Sequence, residues 1–193
     1  MDLIFIHGWG QSSQFTKSLG QVFEKDFTCH YLDLPGFGGT DAPKTVWGSD
    51  DYAREYVKKY CDDNGITRAL FVGHSMGGKV SMEMALQFPQ IAHAIILIAS
   101  NGAKKKRSFK FKVKAKLLKL LSRLAGLIDG IFKTSFKQAY GKKFGSADYR
   151  AATGIMKNIL VKTVNENYED KAKNIACPTL LLYGTNDDAT PPH

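Results

Sequence analysis

The chain has 193 residues, 44% of them apolar and 23% charged, with a formal net charge of +9 at pH 7. This length supports one hydrophobic core rather than two domains, and the composition is that of a globular protein. No apolar run reaches the length of a membrane span, and the first residues, MDLIFI, lack the basic region of a signal peptide. Three scattered cysteines without a C-x-x-C pair indicate reduced thiols, no zinc site and a cytoplasmic location.

The positive charge is concentrated in one segment of the chain. Residues 103–150 carry twelve Lys and three Arg against two Asp, a net charge of +13, which leaves −4 for the rest of the chain. The basicity is therefore a property of this segment and not of the whole molecule.

The first elements are a short strand, a glycine-containing loop and a helix. Residues 3–6 are uniformly apolar, as expected for a buried parallel strand. The sequence HGWG over residues 7–10, called the HGWG loop below, then allows a tight turn that presents N–H groups to a ligand. We interpret His7 as a structural residue bonded to nearby backbone rather than as a catalytic one. A helix is predicted over 11–25, with an apolar face formed by Phe15, Leu19, Val22 and Phe23.

A second strand and a second helix follow. The strand is predicted over residues 27–34, and the turn formers of residues 35–41 end it. The helix begins at the acidic pair Asp50 and Asp51, which suits a helix N-terminus, and it stops at Asn64 and Gly65.

Residues 69–88 predict a strand, a sharp turn and a helix. The strand covers 69–72, the sequence GHSMGG occupies residues 73–78, and the helix runs over 79–88. This pattern predicts a nucleophile elbow, in which Ser75 stands on a strained turn at the end of a sheet. Gly73 and Gly77 are expected where a Cβ would collide with backbone. The alternative is a glycine-rich turn with an incidental serine.

Alternating strands and helices predict an α/β fold with a parallel sheet, interrupted once. A fourth strand is predicted over 94–99 and a fifth over 178–183. Between them, leucines and isoleucines repeat with helical spacing over 117–131, and a further helix is predicted over 149–164. The organisation is a single domain, with core residues 1–102, a basic helical insert over 103–174, and core residues 175–193.

Four motifs in order resemble the α/β-hydrolase superfamily, in particular its small carboxylesterases and C–C bond hydrolases. They are the HGWG loop, the sequence DLPGFG at 33–38, the turn at 73–78 and the loop from Gly184 through Asp187 to Pro191. The resemblance implies a three-layer fold in which the insert forms a helical lid. It further implies Ser75 as nucleophile, Asp187 as the triad acid with Asp188 as the alternative, and Trp9 and Met76 as oxyanion donors, supported by His7, Gly8, Gly73 and Gly77. The implied reaction is acyl transfer on a small ester or thioester, without cofactor or metal.

The chain departs from the family pattern at both ends. The family has strands before the one that leads to the HGWG loop, and its catalytic histidine follows the acid by one further helix and strand. Here the chain ends six residues after Asp187, and only His193 lies beyond it. We therefore expect a truncated hydrolase with impaired activity, and the alternative is a non-catalytic ligand-binding relative. Truncation would leave the strand at 178–183 as an uncovered sheet edge, which favours self-association.

The basic segment allows three interpretations. As part of a lid, its apolar stripe packs over Ser75 and its lysines face solvent, which is the interpretation we favour. As an interfacial helix over 104–132, it would contact anionic membrane weakly. A nucleic-acid patch has little support, since Phe109 and Phe111 are the only aromatic residues near its basic start, so no nucleic-acid partner is expected.

Overall fold

A parallel sheet of five strands forms the centre of the computed structural model, which describes residues 1–100, 102, 117, 120–121 and 146–187. The strands are β1 Asp2–Ile6, β2 Thr28–Leu32, β3 Ala69–His74, β4 Ala92–Ile98 and β5 Thr179–Leu182. Their order across the sheet is β2-β1-β3-β4-β5, and each neighbouring pair is parallel. The predicted α/β class with a parallel sheet is confirmed.

The helices connect the strands on both faces of this sheet. They are α1 Ser13–Gly20, α2 Ser49–Asp51, α3 Lys58–Asp63, α4 Met76–Gln87, α5 Ala147–Ala151 and α6 Gly154–Asn165. A π-helical stretch, Tyr52–Val57, joins α2 to α3, and 3₁₀ turns occupy Gln21–Phe23 and Lys171–Asn174. The helix predicted from the acidic pair to Asn64 is thus present. The helix after Ser75 begins three residues earlier than predicted.

The two faces of the sheet carry two separate apolar clusters, which defines three layers. Side chains alternate along each strand, so Ile4 and Ile6 belong to a large cluster on one face, while Leu3 and Phe5 belong to a small one on the other. The large cluster is covered by α3, α4 and α6 with their flanking segments, and it includes Ile159 of α6. The small cluster lies under α1 and contains few fully buried residues.

The prediction that α1 buries an apolar face is wrong. The helix spans only Ser13–Gly20, and Thr16 and Gly20 are the residues buried against the sheet. A Cβ at Gly20 would lie 2.6–2.7 Å from the rings of Phe5 and Tyr31, so these rings occupy the space that a side chain would need. The predicted apolar residues are exposed, although the ring of Phe15 contacts that of His74, with centroids 5.3 Å apart. They are Phe15, Leu19, Val22 and Phe23.

The prediction of one helix over 149–164 is also wrong, because this stretch contains two helices. Ala152 and Thr153 between α5 and α6 are extended, with ψ angles of 137° and 163°. Gly154 then adopts a positive φ of 51°, a conformation that favours glycine. The break reorients the chain, so that Ile159 and Leu160 of α6 reach the core.

Buried polar contacts attach the end of α6 to the rest of the core. The Nζ atom of Lys79, on α4, donates a 2.6 Å hydrogen bond to the carbonyl oxygen of Thr163. The carboxylate of Glu166 accepts hydrogen bonds from the N–H and the hydroxyl of Ser49, at 2.8 and 2.6 Å. Burial raises the pKa of Glu166, and the Ser49 hydrogen bonds oppose this only in part. Residues after the basic segment therefore belong to the same core as α4.

Several predictions fall outside the described residues. They concern most of the helix over 117–131, of which Leu117, Leu120 and Leu121 are described as helical and exposed, and also Asp188 and His193. The lid and membrane interpretations of the basic segment consequently remain predictions. None of the helices in the described stretches combines the length and the hydropathy that a membrane crossing requires.

Candidate active site

Ser75 lies on the turn between β3 and α4, at the carboxyl end of the sheet. Its backbone has φ 50° and ψ −112°, a sparsely populated conformation for a residue with a side chain. Its N–H donates a 2.9 Å hydrogen bond to the carbonyl oxygen of Ile98, the last residue of β4. The strained conformation is thus held by the neighbouring strand, and the half-buried Ser75 lies where β3 passes into α4.

The glycines on either side of Ser75 are required by close backbone contacts. A Cβ on Gly73 would collide with the carbonyl group of Gly77, and a Cβ on Gly77 would collide with that of Ile6 and lie 2.7 Å from the carbonyl oxygen of His7. Backbone atoms cannot move aside as the end of a flexible side chain can. The steric role predicted for both glycines is present in the structure.

Ser100 is a site residue that the sequence analysis missed. It is buried just after β4, and its hydroxyl donates a 2.9 Å hydrogen bond to the carbonyl oxygen of Ser75. Its own carbonyl oxygen accepts a 2.5 Å hydrogen bond from the hydroxyl of Tyr183. The one sequence feature that could have indicated this role is a serine directly after the strand that neighbours β3.

The HGWG loop is anchored by His7, which is fully buried. Its Nε2 atom accepts a 3.0 Å hydrogen bond from the N–H of Leu34, so the proton must be on Nδ1, which donates to the carbonyl oxygen of Gly8 at 2.7 Å. Burial lowers the pKa of His7. Both ring nitrogens are occupied by backbone partners, which leaves neither to accept a proton from Ser75.

Trp9 and Met76 contribute the two amides predicted as oxyanion donors. Trp9 is half-buried and packs edge-on against Phe37, with ring centroids 4.9 Å apart, and Met76 is the first residue of α4. Among the residues that the structure describes, neither amide is hydrogen-bonded to a protein acceptor. The unpaired N–H of Met76, at the N-terminus of α4, suits the binding of negative charge, and the N–H of the loop residue Trp9 would add a second donor.

Asp187 lies in the loop after β5, at the same edge of the sheet as Ser75. Its N–H donates a 3.2 Å hydrogen bond to the carbonyl oxygen of Gly184, and its side chain is half-buried. Burial lowers the pKa of His74, the neighbour of Ser75, while the charge of Asp187 acts in the opposite direction. The carboxylate is therefore close enough to the Ser75 turn to act on a group there.

The described histidines other than His74 are engaged away from Ser75. His30 contacts the carboxylate of Asp2 at 3.0 Å, at the beginning of β1. His93 is 2.7 Å from the guanidinium of Arg68, near the beginning of β4. His93 is the second residue of β4, whereas His30 is the central residue of β2 and its ring reaches back to Asp2 at the start of β1. No hydrogen bond joins the Ser75 hydroxyl to a histidine within the described part of the chain.

The described residues include no group of three His, Cys, Asp or Glu side chains that could hold a metal ion. Cys29, Cys61 and Cys177 are free thiols, and burial raises the pKa of Cys61 to about 11. A thiol with such a pKa stays protonated at neutral pH, so Cys61 is a packing residue rather than a nucleophile.

A family model described as the alpha/beta hydrolase fold matches residues 3–193. A curated relative, the pimeloyl-[acyl-carrier protein] methyl ester esterase of Salmonella heidelberg, is 24% identical over 204 residues, covering 98% of this chain and 77% of the relative. An uncharacterized protein of Mycobacterium tuberculosis is 32% identical over 111 residues, which are 58% of this chain and 32% of that protein. The chain thus aligns with about a third of the length of its mycobacterial relatives.

Solved structures share the architecture over nearly the whole chain. A hydrolase from Pseudomonas aeruginosa has a TM-score of 0.69 at 19% identity, covering 99% of this chain and 74% of its own. A meta-cleavage product hydrolase from Pseudomonas fluorescens has a TM-score of 0.66 at 18% identity, covering 100% of this chain and 75% of its own. At these identities the likeness is one of fold.

Proposed function

Because this chain belongs to the α/β-hydrolase fold family, we propose that it is a serine hydrolase that cleaves a small ester or thioester through an acyl-enzyme. The observation that carries the proposal is the strained Ser75 turn, which lies between the HGWG loop and the N-terminus of α4. A serine held in this conformation on a strand-to-helix turn is positioned to attack a carbonyl group bound outside the sheet.

In the proposed mechanism, the Ser75 hydroxyl attacks the carbonyl carbon and its proton passes to a base. The N–H groups of Trp9 and Met76 stabilise the oxyanion, and loss of one such donor typically costs about 10²–10³ in rate. The leaving group departs with that proton, and water then releases the acid. Asp187 would orient and stabilise a histidine base.

The supply of a base limits this chain in our proposal. Among the histidines that the structure describes, His7 is saturated by backbone partners, His30 and His93 are engaged elsewhere, and His74 makes no hydrogen bond to the Ser75 hydroxyl. Without a base, binding and the oxyanion site alone typically leave roughly 10³–10⁴-fold catalysis over water. The 193-residue chain is therefore expected to acylate slowly.

The walls next to the HGWG loop favour an apolar substrate. Phe37 is buried and packs against both His7 and Trp9. The thioether of Met156, on α6, fills the space beside Gly36, 2.5 Å from where a Cβ would stand. The insert thus contributes a flexible apolar side chain beside Gly36, in the loop whose Phe37 packs against Trp9. This supports a lid function for the insert and a small apolar acyl compound as substrate.

Chemical rescue tests this proposal. Hydrolysis of p-nitrophenyl butyrate would be measured with increasing imidazole, which replaces a missing base, in the unmodified chain, Ser75→Ala and the control Ser18→Ala, a change at an exposed serine of α1. We expect imidazole-dependent hydrolysis above the Ser75→Ala background in the unmodified chain and the control. A fluorophosphonate probe should label the same two proteins. Equal rates in all three proteins, with no labelling, would reject the proposal.

A second candidate function is ligand binding without turnover. The observation that favours it is the engagement of His7, His30 and His93 away from Ser75. This function predicts that butyrate or a related acid binds near Trp9 and quenches its fluorescence, while imidazole restores no Ser75-dependent hydrolysis. Rescue by imidazole would rule this candidate out.

A further inference from the structure

Gln11 joins the HGWG loop to the Ser75 turn through a single oxygen atom. Its Oε1 accepts a 2.8 Å hydrogen bond from the N–H of Gly8 and lies 2.8 Å from Nδ1 of His74. An amide oxygen only accepts, so His74 must carry its proton on Nδ1 and donate it to Gln11. The two donors belong to segments more than sixty residues apart in the sequence.

The same residue also acts on the peptide group that carries the Trp9 N–H. The carbonyl oxygen of Gly8 accepts hydrogen bonds from the backbone N–H of Gln11, at 3.3 Å, and from Nδ1 of His7, at 2.7 Å. A trans peptide is planar, so the N–H of Trp9 points opposite to the carbonyl of Gly8. Fixing that carbonyl therefore fixes the direction of the Trp9 N–H.

The groups involved surround Gly8, next to the proposed nucleophile. A Cβ on Gly8 would lie 2.8 Å from Nδ1 of His74, 2.9 Å from Oε1 of Gln11 and 3.2 Å from Cβ of Ser75. A displacement of Gln11 would consequently change the spacing between the HGWG loop and Ser75. Because oxyanion stabilisation depends on donors placed before the reaction begins, such a change lowers the rate more than substrate binding.

We propose that Gln11 is a positioning residue of the oxyanion site, which holds the Trp9 N–H against the Ser75 turn through Gly8 and His74. The effect of Gln11 on the reaction rate rests on the proposed function. The hydrogen bonds of Gln11 to Gly8 and His74 do not depend on that function. It assigns no chemical step to Gln11, which touches neither substrate nor the reacting atoms.

The test compares three variants with the unmodified chain. Gln11→Leu removes the acceptor at similar size, Gln11→Glu keeps an acceptor, and Gln14→Leu makes the matched change at an exposed glutamine of α1. Gln11→Leu should lower kcat for imidazole-rescued ester hydrolysis about tenfold, a smaller decrease than the loss of a whole oxyanion donor causes. KM should stay within about twofold of the unmodified chain. Gln11→Glu and Gln14→Leu should stay close to the unmodified chain.

A spectroscopic readout separates this inference from the proposed function. Nitrogen-15 NMR of the His74 ring should show the Nδ1–H tautomer in the unmodified chain, Gln11→Glu and Gln14→Leu, and a changed tautomer ratio in Gln11→Leu. Faster hydrogen exchange at the Gly8 amide should accompany the change. If the chain shows these spectra but no Ser75-dependent hydrolysis, the proposed function is rejected, while the positioning contact of Gln11 with Gly8 and His74 is retained. An unchanged tautomer and exchange rate in Gln11→Leu, or loss of the Nδ1–H tautomer in Gln11→Glu, would overturn the inference.

Discussion

The hydroxyl of Ser100 donates a 2.9 Å hydrogen bond to the carbonyl oxygen of Ser75 and so links the end of β4 to the strained turn. The N–H of Ser75 is held from the same strand, by the carbonyl oxygen of Ile98 at 2.9 Å. Both backbone polar groups of Ser75 are thus bound to the neighbouring strand. A strained conformation persists when its surroundings determine it in this way.

Replacement of Ser100 by alanine should weaken the Ser75 turn. We expect the free energy of unfolding to fall by about 0.5–1.5 kcal/mol, because the carbonyl of Ser75 loses this partner and keeps only the 3.1 Å hydrogen bond from the N–H of Gly78. Imidazole-rescued hydrolysis should fall severalfold, since the turn is less well held. Urea unfolding and ester hydrolysis measure the two effects, with Ser18→Ala as the control. A variant that loses stability and keeps its full rate would show that Ser100 does not position Ser75.

Replacement of Gly77 by alanine should destabilise the protein, although the same change in an ordinary helix is stabilising. A Cβ at this position would collide with the carbonyl of Ile6, so we expect the free energy of unfolding to fall by about 1–3 kcal/mol. In an open helix the same change would raise it by about 1 kcal/mol. Thermal unfolding measures the change. Gly102→Ala is the matched control, because its nearest neighbours would be 4.0 Å away. Equal melting temperatures for the two variants would contradict the steric explanation.

The burial of His7 predicts that stability decreases as the pH is lowered. Burial holds the pKa of the folded His7 below its ordinary value of 6.5, although the Gly8 carbonyl and the charge of Asp33 oppose this. Below pH 6.5 the unfolded chain therefore binds more protons than the folded one. The contribution of the buried, neutral His7 to the free energy of unfolding is complete above pH 6.5. It is lost as the pH falls towards the lowered pKa of the folded state, and stability changes by at most about 1.4 kcal/mol per pH unit.

Urea unfolding between pH 7.5 and 5.5 measures this dependence. His7→Gln should reduce the slope of stability against pH, and Gln14→Leu, which removes no titratable group from the exposed side of α1, should leave it unchanged. Part of the slope should persist in His7→Gln, because burial also lowers the pKa of His74. An identical slope in the unmodified chain and His7→Gln would contradict this assignment.

The exposure of β5 predicts self-association at high concentration. Its leucines are 44–57% exposed. Leu180 and Leu182 pair with Ile96 and Ile98 of β4 and therefore extend the sheet face of the small apolar cluster to an exposed edge. Leu180→Lys should raise the concentration at which dimers or aggregates form, as measured by light scattering or sedimentation velocity. Asn174→Lys adds the same charge at an exposed 3₁₀ position as the control. Equal effects of the two substitutions would assign the behaviour to net charge alone.

The helix α1 buries residues other than those that its apolar spacing indicates. Its apolar spacing predicted a buried face, but Gly20 allows the rings of Phe5 and Tyr31 to fill the contact, and the apolar residues of α1 remain exposed. Periodicity states which residues share a helix face, and it contains no information about what covers that face. The break at Ala152 and Thr153 was missed for a different reason, because Gly154, which follows them and adopts a positive φ of 51°, was the residue in the sequence that could have indicated it.

The sequence by itself determined the strands, the parallel α/β class and the glycine requirement around Ser75, because these depend on local apolar runs, turn residues and steric limits of a few adjacent residues. Only the tertiary structure decided that Ser100 holds the Ser75 carbonyl, that Gln11 bridges Gly8 and His74, and that His7 is saturated by backbone. Each of these contacts joins segments far apart in the chain. Their partners are selected by strand order and register, which fix distances that local sequence does not encode.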